Sequence, residues 1–342
     1  MKLANVWINA VGTHVPAVMT AQRAVEEGLY DAESCDWFGW TGAAVAGEVP
    51  APELAVVAAR QALDRWGGQL ADLVLHLHAA AYAQGPEGWP AQHYVLASLG
   101  VSPAPSTMVW QSCNSTLAAL ELAAPYLEKA SEQAAVLVTG SDNVGVPGFN
   151  RWSLGLQYGV VGDSGSALVL SHQPGLARLL TIGSASVPEA ERITRAGAQI
   201  FPPGEAGSLA NLPERIAEHT GVASDLGIRL ATLRTETVLR TIAEADLYPR
   251  NIARVAHIFV GHERYLKAIL SPIGMDVSQG LLEFGRGVGH LTVSDQTVGL
   301  NHLVSTGAVG PGDHVLLLGF AGGVSVACAV LRIEQQESGY AK

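Results

Sequence analysis

Apolar residues along the first half of the chain fall into two alternating kinds of segment. Short apolar runs, typical of buried strands, are followed by longer segments whose apolar residues recur with a helical period. The sequence predicts strands at 6–12, 72–78, 106–110 and 134–140. It predicts helices at 50–66 and 117–127, the second with a helical period interrupted only by Pro125.

The second half repeats this order of elements. It predicts helices at 230–245 and up to His302, and strands at 255–260, 281–285 and 315–320. Each half therefore runs helix, strand, turn, strand, helix, strand, which predicts two α/β units whose apolar strands form central sheets covered by helices. Turn residues at 172–175 place the boundary between halves 1–172 and 173–342.

Cys113 lies at the turn between the predicted strand 106–110 and the predicted helix 117–127. Unpaired backbone N–H groups and the helix dipole at a helix N-terminus favour a thiolate. Cys113 is therefore a candidate nucleophile. The alternative is a buried structural cysteine, since free Cys is among the most buried residue types.

Composition indicates a globular protein of about two domains. The chain has 342 residues, of which 48% are hydrophobic and 15% are charged, enough to bury a large core. No apolar run is long enough to span a membrane, and the N-terminus lacks the apolar core of a signal peptide. We therefore expect a cytoplasmic location.

Charge and cysteine content exclude several classes of site and partner. Cys35, Cys113 and Cys328 are too few and too scattered for a disulfide framework or a zinc site, so we expect no metal. The net charge of −11 argues against binding to nucleic acid or an anionic membrane, because both need a basic surface. An acidic carrier protein would need a local basic patch, and the sequence shows no dense one.

Five motifs follow one another along nearly the whole chain. They are Cys113, Val-Gly-Asp-Ser-Gly-Ser-Ala at 161–167, Gly-His-Glu-Arg-Tyr-Leu-Lys at 261–267, Pro311-Gly312, and Gly-Phe-Ala-Gly-Gly at 319–323. Their order and spacing resemble beta-ketoacyl synthase III. This resemblance implies the thiolase-like fold, with two pseudo-duplicated α/β halves in a layered α-β-α-β-α core. It also implies a homodimer that pairs the first-half sheets edge to edge, without a permanently bound cofactor.

The sequence departs from the condensing members of this family at one catalytic position. Those members use Cys with His and Asn, and the Asn of the Gly-Asn-Thr-Ser pattern is His290 here. Asp295 follows in the next predicted helix, where its carboxylate could reach back to the imidazole. The replacement resembles the acyltransferase branch of the family, which acts in natural-product, antibiotic and polyketide biosynthesis and uses a Cys-His-Asp triad.

The substitution matters because the two reactions need different groups. Decarboxylative condensation needs two neutral donors on a thioester enolate, a task for His plus Asn. Ester or amide formation needs a base for the attacking alcohol or amine. We expect Cys113 to be the nucleophile, His290 the base and Asp295 its orienting carboxylate. The alternatives are an ordinary core or surface histidine and a helix-capping aspartate.

The resemblance carries further candidate residues with it. The backbone N–H groups of Cys113 and Gly322 would form the oxyanion hole. His262 matches the second-half histidine and would bind or donate to the substrate carbonyl. Lys267 matches a position at the phosphate end of the pantetheine tunnel, although a lone Lys is more often a solvated charge. Trp89 falls where an aromatic residue crosses the dimer interface to the acyl pocket; the alternative is an ordinary loop aromatic.

Recognition of coenzyme A is less clearly encoded. In the family a tryptophan and an arginine near residues 35–42 clamp the adenine. Trp37 and Trp40 are present as substrate-binding candidates, but Gly39 and Trp40 stand where the arginine is expected. A carrier-protein phosphopantetheine therefore stands beside coenzyme A as the possible thioester donor.

Three functions of different classes follow. The favoured one is an acyltransferase that moves an acyl group through a Cys113 thioester onto a hydroxyl or amine of a small-molecule acceptor. The alternative is a decarboxylating carbon–carbon condensing synthase of the starter-unit type. The third is a non-catalytic partner subunit, against which the intact Cys113 argues.

Overall fold

The strands and helices of the first half lie close to their predicted positions. The computed structural model describes residues 1–147, 149–153, 159–195, 199–200, 223–321 and 324–335. The first-half elements are β1 (Trp7–His14), β2 (Val18–Thr20), α1 (Ala21–Glu26), α2 (Ala32–Phe38), β3 (Gly42–Ala44), α3 (Ala51–Trp66), β4 (Leu73–Ala79), α4 (Ala91–Leu99), β5 (Ser106–Val109), α5 (Ser115–Glu128), β6 (Ala135–Asp142) and β7 (Ser164–Ser171).

The second half contains one element that the sequence pattern assigned wrongly. Residues 281–285 were predicted as a strand but begin a helix, because a short apolar run fits either element. The second-half elements are β8 (Ala177–Ser186), α6 (Glu191–Arg195), α7 (Ala223–Glu244), β9 (Ile252–His257), α8 (Glu263–Leu270), α9 (Leu282–Val288), α10 (Asp295–Ser305), β10 (His314–Ala321) and β11 (Ser325–Ile333).

Nine strands form one sheet in the order β5-β4-β6-β7-β1-β8-β11-β10-β9. In its first part β7 is antiparallel to β6 and β1, and β4 is parallel to β6 and β5. In its second part β11 is antiparallel to β10 and β8, and β9 is parallel to β10. The two parts thus repeat one arrangement, and β1 and β8 join them. The predicted boundary at residue 172 lies in the connection between β7 and β8.

Helices cover the outer faces of this sheet and fill the space between its two parts. α3 packs on β1, β6 and β7, while α7 packs on β8 and β11. α5 contacts β4 and β6 of the first part and β8 and β11 of the second, and α10 contacts β9 and β10 as well as β1 and β7. The result is the layered α-β-α-β-α core that the family resemblance implied.

The central position of α5 follows from its composition. Most of its apolar residues are buried, as expected for a helix that is apolar on most sides. The helix continues to Glu128 with Pro125 in its last turn. Its buried residues include Leu117, Leu120 and Leu127, each without exposed surface. Burial of each leucine stabilises the fold by about 1.5 to 3 kcal/mol.

Two glycines allow α3 to lie directly on the sheet. A Cβ at Gly12 would lie 1.9 Å from the carbonyl oxygen of Ala58, and one at Gly165 would lie 2.0 Å from that of Leu54. Both contacts involve helix backbone, so no side-chain movement could relieve them. Gly165 belongs to the 161–167 motif, whose glycine therefore serves helix–sheet packing.

No helix in the described ranges combines the length and the apolar character that crossing a bilayer requires.

Candidate active site

Cys113 lies in a tight turn between the end of β5 and the start of α5. Ser112, just before it, has a φ of 51°, a left-handed conformation uncommon for a residue other than glycine. The hydroxyl of Ser115 braces the turn by accepting the backbone N–H of Gln111 at 2.7 Å. The predicted strand-to-helix turn is therefore present, and it places the thiol at the N-terminus of the central helix.

His290 and Asp295 lie next to Cys113, although they come from the other half of the chain. The Cys113 Sγ is 3.1 Å from His290 Nε2, and His290 Nδ1 is 2.6 Å from Asp295 Oδ2. The carboxylate side chain has no exposed surface and the imidazole has 2%. The structure thus brings the three predicted residues into one connected chain of contacts.

The charge of Asp295 is stabilised by backbone N–H groups. Its Oδ2 also accepts the N–H of Phe259 at 2.8 Å, and its Oδ1 accepts the N–H of Leu291 at 2.7 Å. Phe259 follows the carboxyl end of β9, and Asp295 is the first residue of α10. Three hydrogen bonds orient this buried carboxylate, and the contact with His290 fixes the proton of the imidazole on Nδ1 when the ring is neutral.

Opposing effects act on the imidazole of His290. Burial alone would lower its pKa, but the charges of Asp295 and Cys113, with the hydrogen bonds to both, outweigh burial and hold the pKa well above its usual value. The imidazolium form of His290 is therefore favoured, at a site where the ring lies 3.1 Å from the Cys113 sulfur and 2.6 Å from the Asp295 carboxylate.

His262 and Lys267 lie on α8, which follows β9. His262 is the N-cap of this helix, and its Nδ1 accepts the backbone N–H of Arg264 at 3.1 Å. The neutral imidazole therefore carries its proton on Nε2, where it can donate to a ligand. Lys267 is exposed in the last turn of α8. The roles assigned to both residues stay predictions.

The cation near Trp37 comes from a different element than expected. Segment 35–42 lacks an arginine, but the guanidinium of Arg264 lies 4.0 Å from the Trp37 ring centroid. Arg264 also donates to the Trp37 carbonyl oxygen at 2.6 Å and contacts the ring of Tyr265. The Trp37 side chain is 60% exposed, so this cation–π pair lies at the surface. The sequence could not indicate it, because the pairing is tertiary.

Trp40 is not placed as a substrate-binding residue. It is only 2% exposed and belongs to the main hydrophobic core. A Cβ at Gly261 would lie 2.7 Å from the Trp40 ring, so the indole packs directly against the backbone before His262. Trp40 supports this segment from below, and the prediction that it contacts substrate is wrong because the side chain points inward.

The remaining predicted positions are less informative. Trp89 is 37% exposed, packs on Tyr94 with ring centroids 5.4 Å apart, and lies against Gly85. Its predicted role concerns a second subunit and stays a prediction. Gly322 lies outside the described residues, so the proposed oxyanion hole is represented here by Cys113 alone. Among the residues described, no group of three or more His, Cys, Asp or Glu could hold a metal ion.

One buried residue of the site was not identified from the sequence. Asp142 ends β6, has no exposed surface, and bonds to Thr292 in the turn between His290 and Asp295. The available signal was its position just after the predicted strand 134–140, where polar groups at a strand end often belong to a site.

Comparisons with known proteins show the family and the fold of this chain. The family model for the C-terminal part of 3-oxoacyl-(acyl-carrier-protein) synthase III matches residues 242–333. Beta-ketoacyl-(acyl-carrier-protein) synthase III 2 of Streptomyces avermitilis is 29% identical over 293 residues, covering 83% of this chain and 84% of that protein. The solved structure of ChlB3, described as an acyltransferase, is 38% identical with a TM-score of 0.91 and covers 97% of this chain and 98% of that chain. The chain belongs to the synthase III-like family of the thiolase fold.

A more distant structure shows how widely this fold extends. The synthase III of Aquifex aeolicus has a TM-score of 0.75 at 17% identity, covering 96% of this chain and 99% of that chain. At this identity the likeness concerns the fold alone. The fold of this synthase III-like protein is thus shared with proteins of low sequence identity.

Proposed function

We propose that this synthase III-like protein is an acyltransferase. It moves an acyl group from a thioester donor, through a thioester on Cys113, onto a hydroxyl or amine of a small-molecule acceptor. The observation that carries the proposal is the contact chain from Cys113 Sγ through His290 to Asp295, with spacings of 3.1 and 2.6 Å. The description of ChlB3 as an acyltransferase supports it.

In the first half-reaction the Cys113 thiolate attacks the carbonyl carbon of the donor thioester. The new C–S bond forms to Sγ, and the bond to the pantetheine sulfur breaks. The imidazolium of His290 gives its Nε2 proton to the departing thiolate, which leaves as a thiol. His290 is then neutral beside a neutral thioester. Because the Cys113 charge that helped to raise its pKa is gone, the imidazole is now ready to act as a base.

In the second half-reaction the acceptor attacks the Cys113 thioester. Its O–H or N–H proton passes to His290 Nε2 as the new C–O or C–N bond forms, and the C–S bond to Cys113 breaks. Asp295 stabilises the imidazolium that results, so the thiolate and imidazolium that began the first half-reaction are restored. General-base assistance of this kind typically contributes about 10²- to 10⁴-fold to the rate.

The alternative function is decarboxylating carbon–carbon condensation, favoured by the name of the Streptomyces avermitilis relative. That reaction needs neutral hydrogen-bond donors on an enolate oxygen. His290 is held as a cation or, when neutral, presents an Nε2 lone pair toward Cys113. A carboxylate at 2.6 Å makes this imidazole a better base than an asparagine amide, which supports proton removal over enolate binding.

The donor is proposed to be an acyl carrier protein phosphopantetheine or coenzyme A. Both present the same thioester and phosphate. Lys267 and Arg264 on α8 are the exposed cations nearest in sequence to His262, and they are the candidates for a phosphate contact. His262, with its Nε2 proton available, is proposed to donate to a substrate carbonyl. No permanently bound cofactor is needed for either half-reaction.

A homodimer is proposed as the working unit. β5 is the edge strand of the sheet on the first-half side, and an edge strand presents unpaired backbone groups to a second chain. Trp110, which follows β5 and lies close to Cys113 in sequence, is 61% exposed. A second copy pairing along β5 would bury this indole. Light scattering on the purified protein tests this assembly directly.

The test of the function is intact-protein mass after incubation with acyl thioesters. Donors on coenzyme A, on pantetheine mimics and on a loaded carrier protein are compared for wild type and Cys113→Ala. A Cys113-dependent mass gain, followed by its loss when an alcohol or amine acceptor is added, supports the proposal. Release of carbon dioxide from a malonyl donor with formation of a ketoester would instead establish condensation.

A further inference from the structure

Asp142 is a second buried carboxylate near the triad, and its partners lie on two different loops. One loop follows β4: the carboxylate accepts the backbone N–H groups of Ala81 at 3.1 Å and Tyr82 at 2.9 Å, and the side-chain N–H of Gln84 at 3.2 Å. The other loop joins His290 to Asp295: Asp142 Oδ2 accepts the hydroxyl of Thr292 at 2.5 Å. All four donors are uncharged.

The loop that contains Thr292 determines the relative position of His290 and Asp295. These residues are five apart in sequence, and Thr292 between them has a φ of 51°. For a β-branched residue this conformation is an outlier that costs about 1 to 3 kcal/mol. It persists only where neighbouring contacts hold it, and the short hydroxyl–carboxylate bond is the contact made by the Thr292 side chain itself.

Other side chains of the first half hold the same loop at its neighbouring residues. Thr116 of α5 donates its hydroxyl to the carbonyl of Val293 at 2.7 Å, and Ser294 shares a hydrogen bond with Ser166 of β7 at 3.0 Å. The loop therefore depends on the first half for its shape. Asp142 differs from these anchors because it contacts the strained residue.

Asp142 is itself fixed by a buried polar network. The Gln84 side chain that donates to it contacts His78 Nε2 at 3.2 Å, and His78 Nδ1 contacts the Thr139 hydroxyl at 2.8 Å. Burial lowers the pKa of His78 to about 4, so this histidine is neutral. Burial also raises the pKa of Asp142 to about 7. The network therefore holds the carboxyl group by hydrogen bonds, without a neighbouring cation from His78.

We propose that Asp142 is a positioning residue: its bond to Thr292 keeps the loop in the shape that aligns His290 with both Asp295 and Cys113. Without this bond Thr292 would relax toward negative φ, and the two catalytic contacts of the imidazole would lengthen. Because a misplacement of about 1 Å can cost roughly 10²-fold in rate, a residue without substrate contact can still control the reaction. The inference rests on the proposed roles of Cys113 and His290.

The experiment measures Cys113 alkylation rather than acyl transfer, so it needs neither donor nor acceptor. The rate of carbamidomethylation by iodoacetamide is followed by intact mass between about pH 5 and about pH 9, with Cys113→Ala to subtract other thiols. A thiolate paired with an imidazolium reacts well below the pH range of an ordinary thiol, so wild type should keep a high rate at the acid end. This acid limb of the pH–rate profile, the alkylation rate at low pH, reports the alignment of His290 with Cys113.

Four variants isolate the Asp142–Thr292 contact. Thr292→Val removes the hydroxyl but keeps the branched shape, and Thr292→Ser keeps the hydroxyl. Asp142→Ala removes the carboxylate, and Thr181→Val is a matched control that loses a buried hydroxyl outside this network, where it donates to the Thr241 carbonyl at 2.8 Å. We expect Thr292→Val and Asp142→Ala each to lose about 10-fold or more at the acid end, with Thr292→Ser and Thr181→Val near wild type.

The double variant Asp142→Ala/Thr292→Val decides whether the two residues act together. If Asp142 acts through Thr292, the double variant loses no more than either single variant. Multiplied effects, or a wild-type profile for Thr292→Val, would overturn the inference. If Asp142→Ala does not fold, the Thr292→Val and Thr292→Ser pair still decides it. A wild-type protein that reacts only like an ordinary thiol would instead overturn the proposed function, which keeps the two failures apart.

Discussion

The Cys113 turn and the His290–Asp295 turn occupy comparable places in the two halves, yet they are stabilised differently. The Cys113 turn is braced mainly by its own neighbours: Ser115 accepts the N–H of Gln111 and donates to nearby carbonyls. The His290–Asp295 turn is buried and is held by side chains from the other half. The candidate nucleophile can therefore be found from local sequence, whereas the residues next to it depend on the tertiary structure.

The largest expected effect comes from making the second turn like that of a condensing enzyme. His290→Asn removes the base while preserving a polar side chain, so acyl transfer should fall by about 10²- to 10⁴-fold. Loading of Cys113 should persist at a slower rate, because the thiol can still ionise in solution. Intact-protein mass, measured in samples stopped at successive times, separates loading of Cys113 from transfer to the acceptor. Unchanged transfer with lost loading would contradict the roles proposed for Cys113 and His290.

Asp295→Asn tests the charge behind the imidazole. The amide oxygen can still accept from His290 Nδ1, but the negative charge that holds the pKa of His290 well above its usual value is lost, and burial then lowers that pKa. We expect transfer to fall by about 10²-fold or more and the acid limb of Cys113 alkylation to disappear. An unchanged limb would show that Asp295 acts only as a helix cap.

The fold and the position of Cys113 at a strand-to-helix turn were predicted from the sequence to a useful degree. The repeated order of elements follows from apolar periodicity, and Cys113 follows from its strand-to-helix turn. His290 and Asp295 were assigned through family resemblance, because nothing local distinguishes His290 among 11 histidines. Arg264 on Trp37 required the three-dimensional arrangement, since the two residues lie far apart in sequence.

The two corrected predictions have physical causes of the same kind. The run at 281–285 was too short to separate strand from helix by period, and in the structure Gly285 packs on the Phe259 ring within α9. Trp40 was grouped with Trp37 because of sequence proximity, but the end of α2 at Gly39 turns the chain so that one indole faces solvent and the other the core. Side-chain direction after a helix end depends on tertiary packing.

The pH dependence of stability should reveal the buried carboxyl that supports the second turn. The pKa of Asp142 is raised from 3.8 to about 7 in the folded protein. The folded state therefore binds this proton more tightly than the unfolded state, so its contribution to stability is present below about pH 4 and is lost as pH rises to about 7. Asp142→Asn should flatten this part of the curve, by a few kcal/mol, in urea unfolding at several pH values. If the free energies of unfolding of wild type and Asp142→Asn change with pH in parallel, the raised pKa does not belong to Asp142.

The smallest expected effect concerns a single brace between the halves. Thr116→Val removes the hydrogen bond to Val293 and should lower the free energy of unfolding by about 1 kcal/mol. Thr181→Val is a matched control, since its hydroxyl donates to the Thr241 carbonyl at 2.8 Å in another buried location. Both variants should lose similar stability, but only Thr116→Val should reduce Cys113 alkylation at low pH. Equal alkylation in the two variants would limit the brace to a structural role.

The join between β1 and β8 has a consequence for how activity arises. Cys113 belongs to the part of the sheet on one side of this join, whereas His290 and Asp295 belong to the part on the other side. Neither segment carries a complete set of reacting groups. The reactivity of the thiol therefore depends on the association of the two parts. A chain cut in the connection after β7 would regain a reactive thiol only when both fragments reassociate.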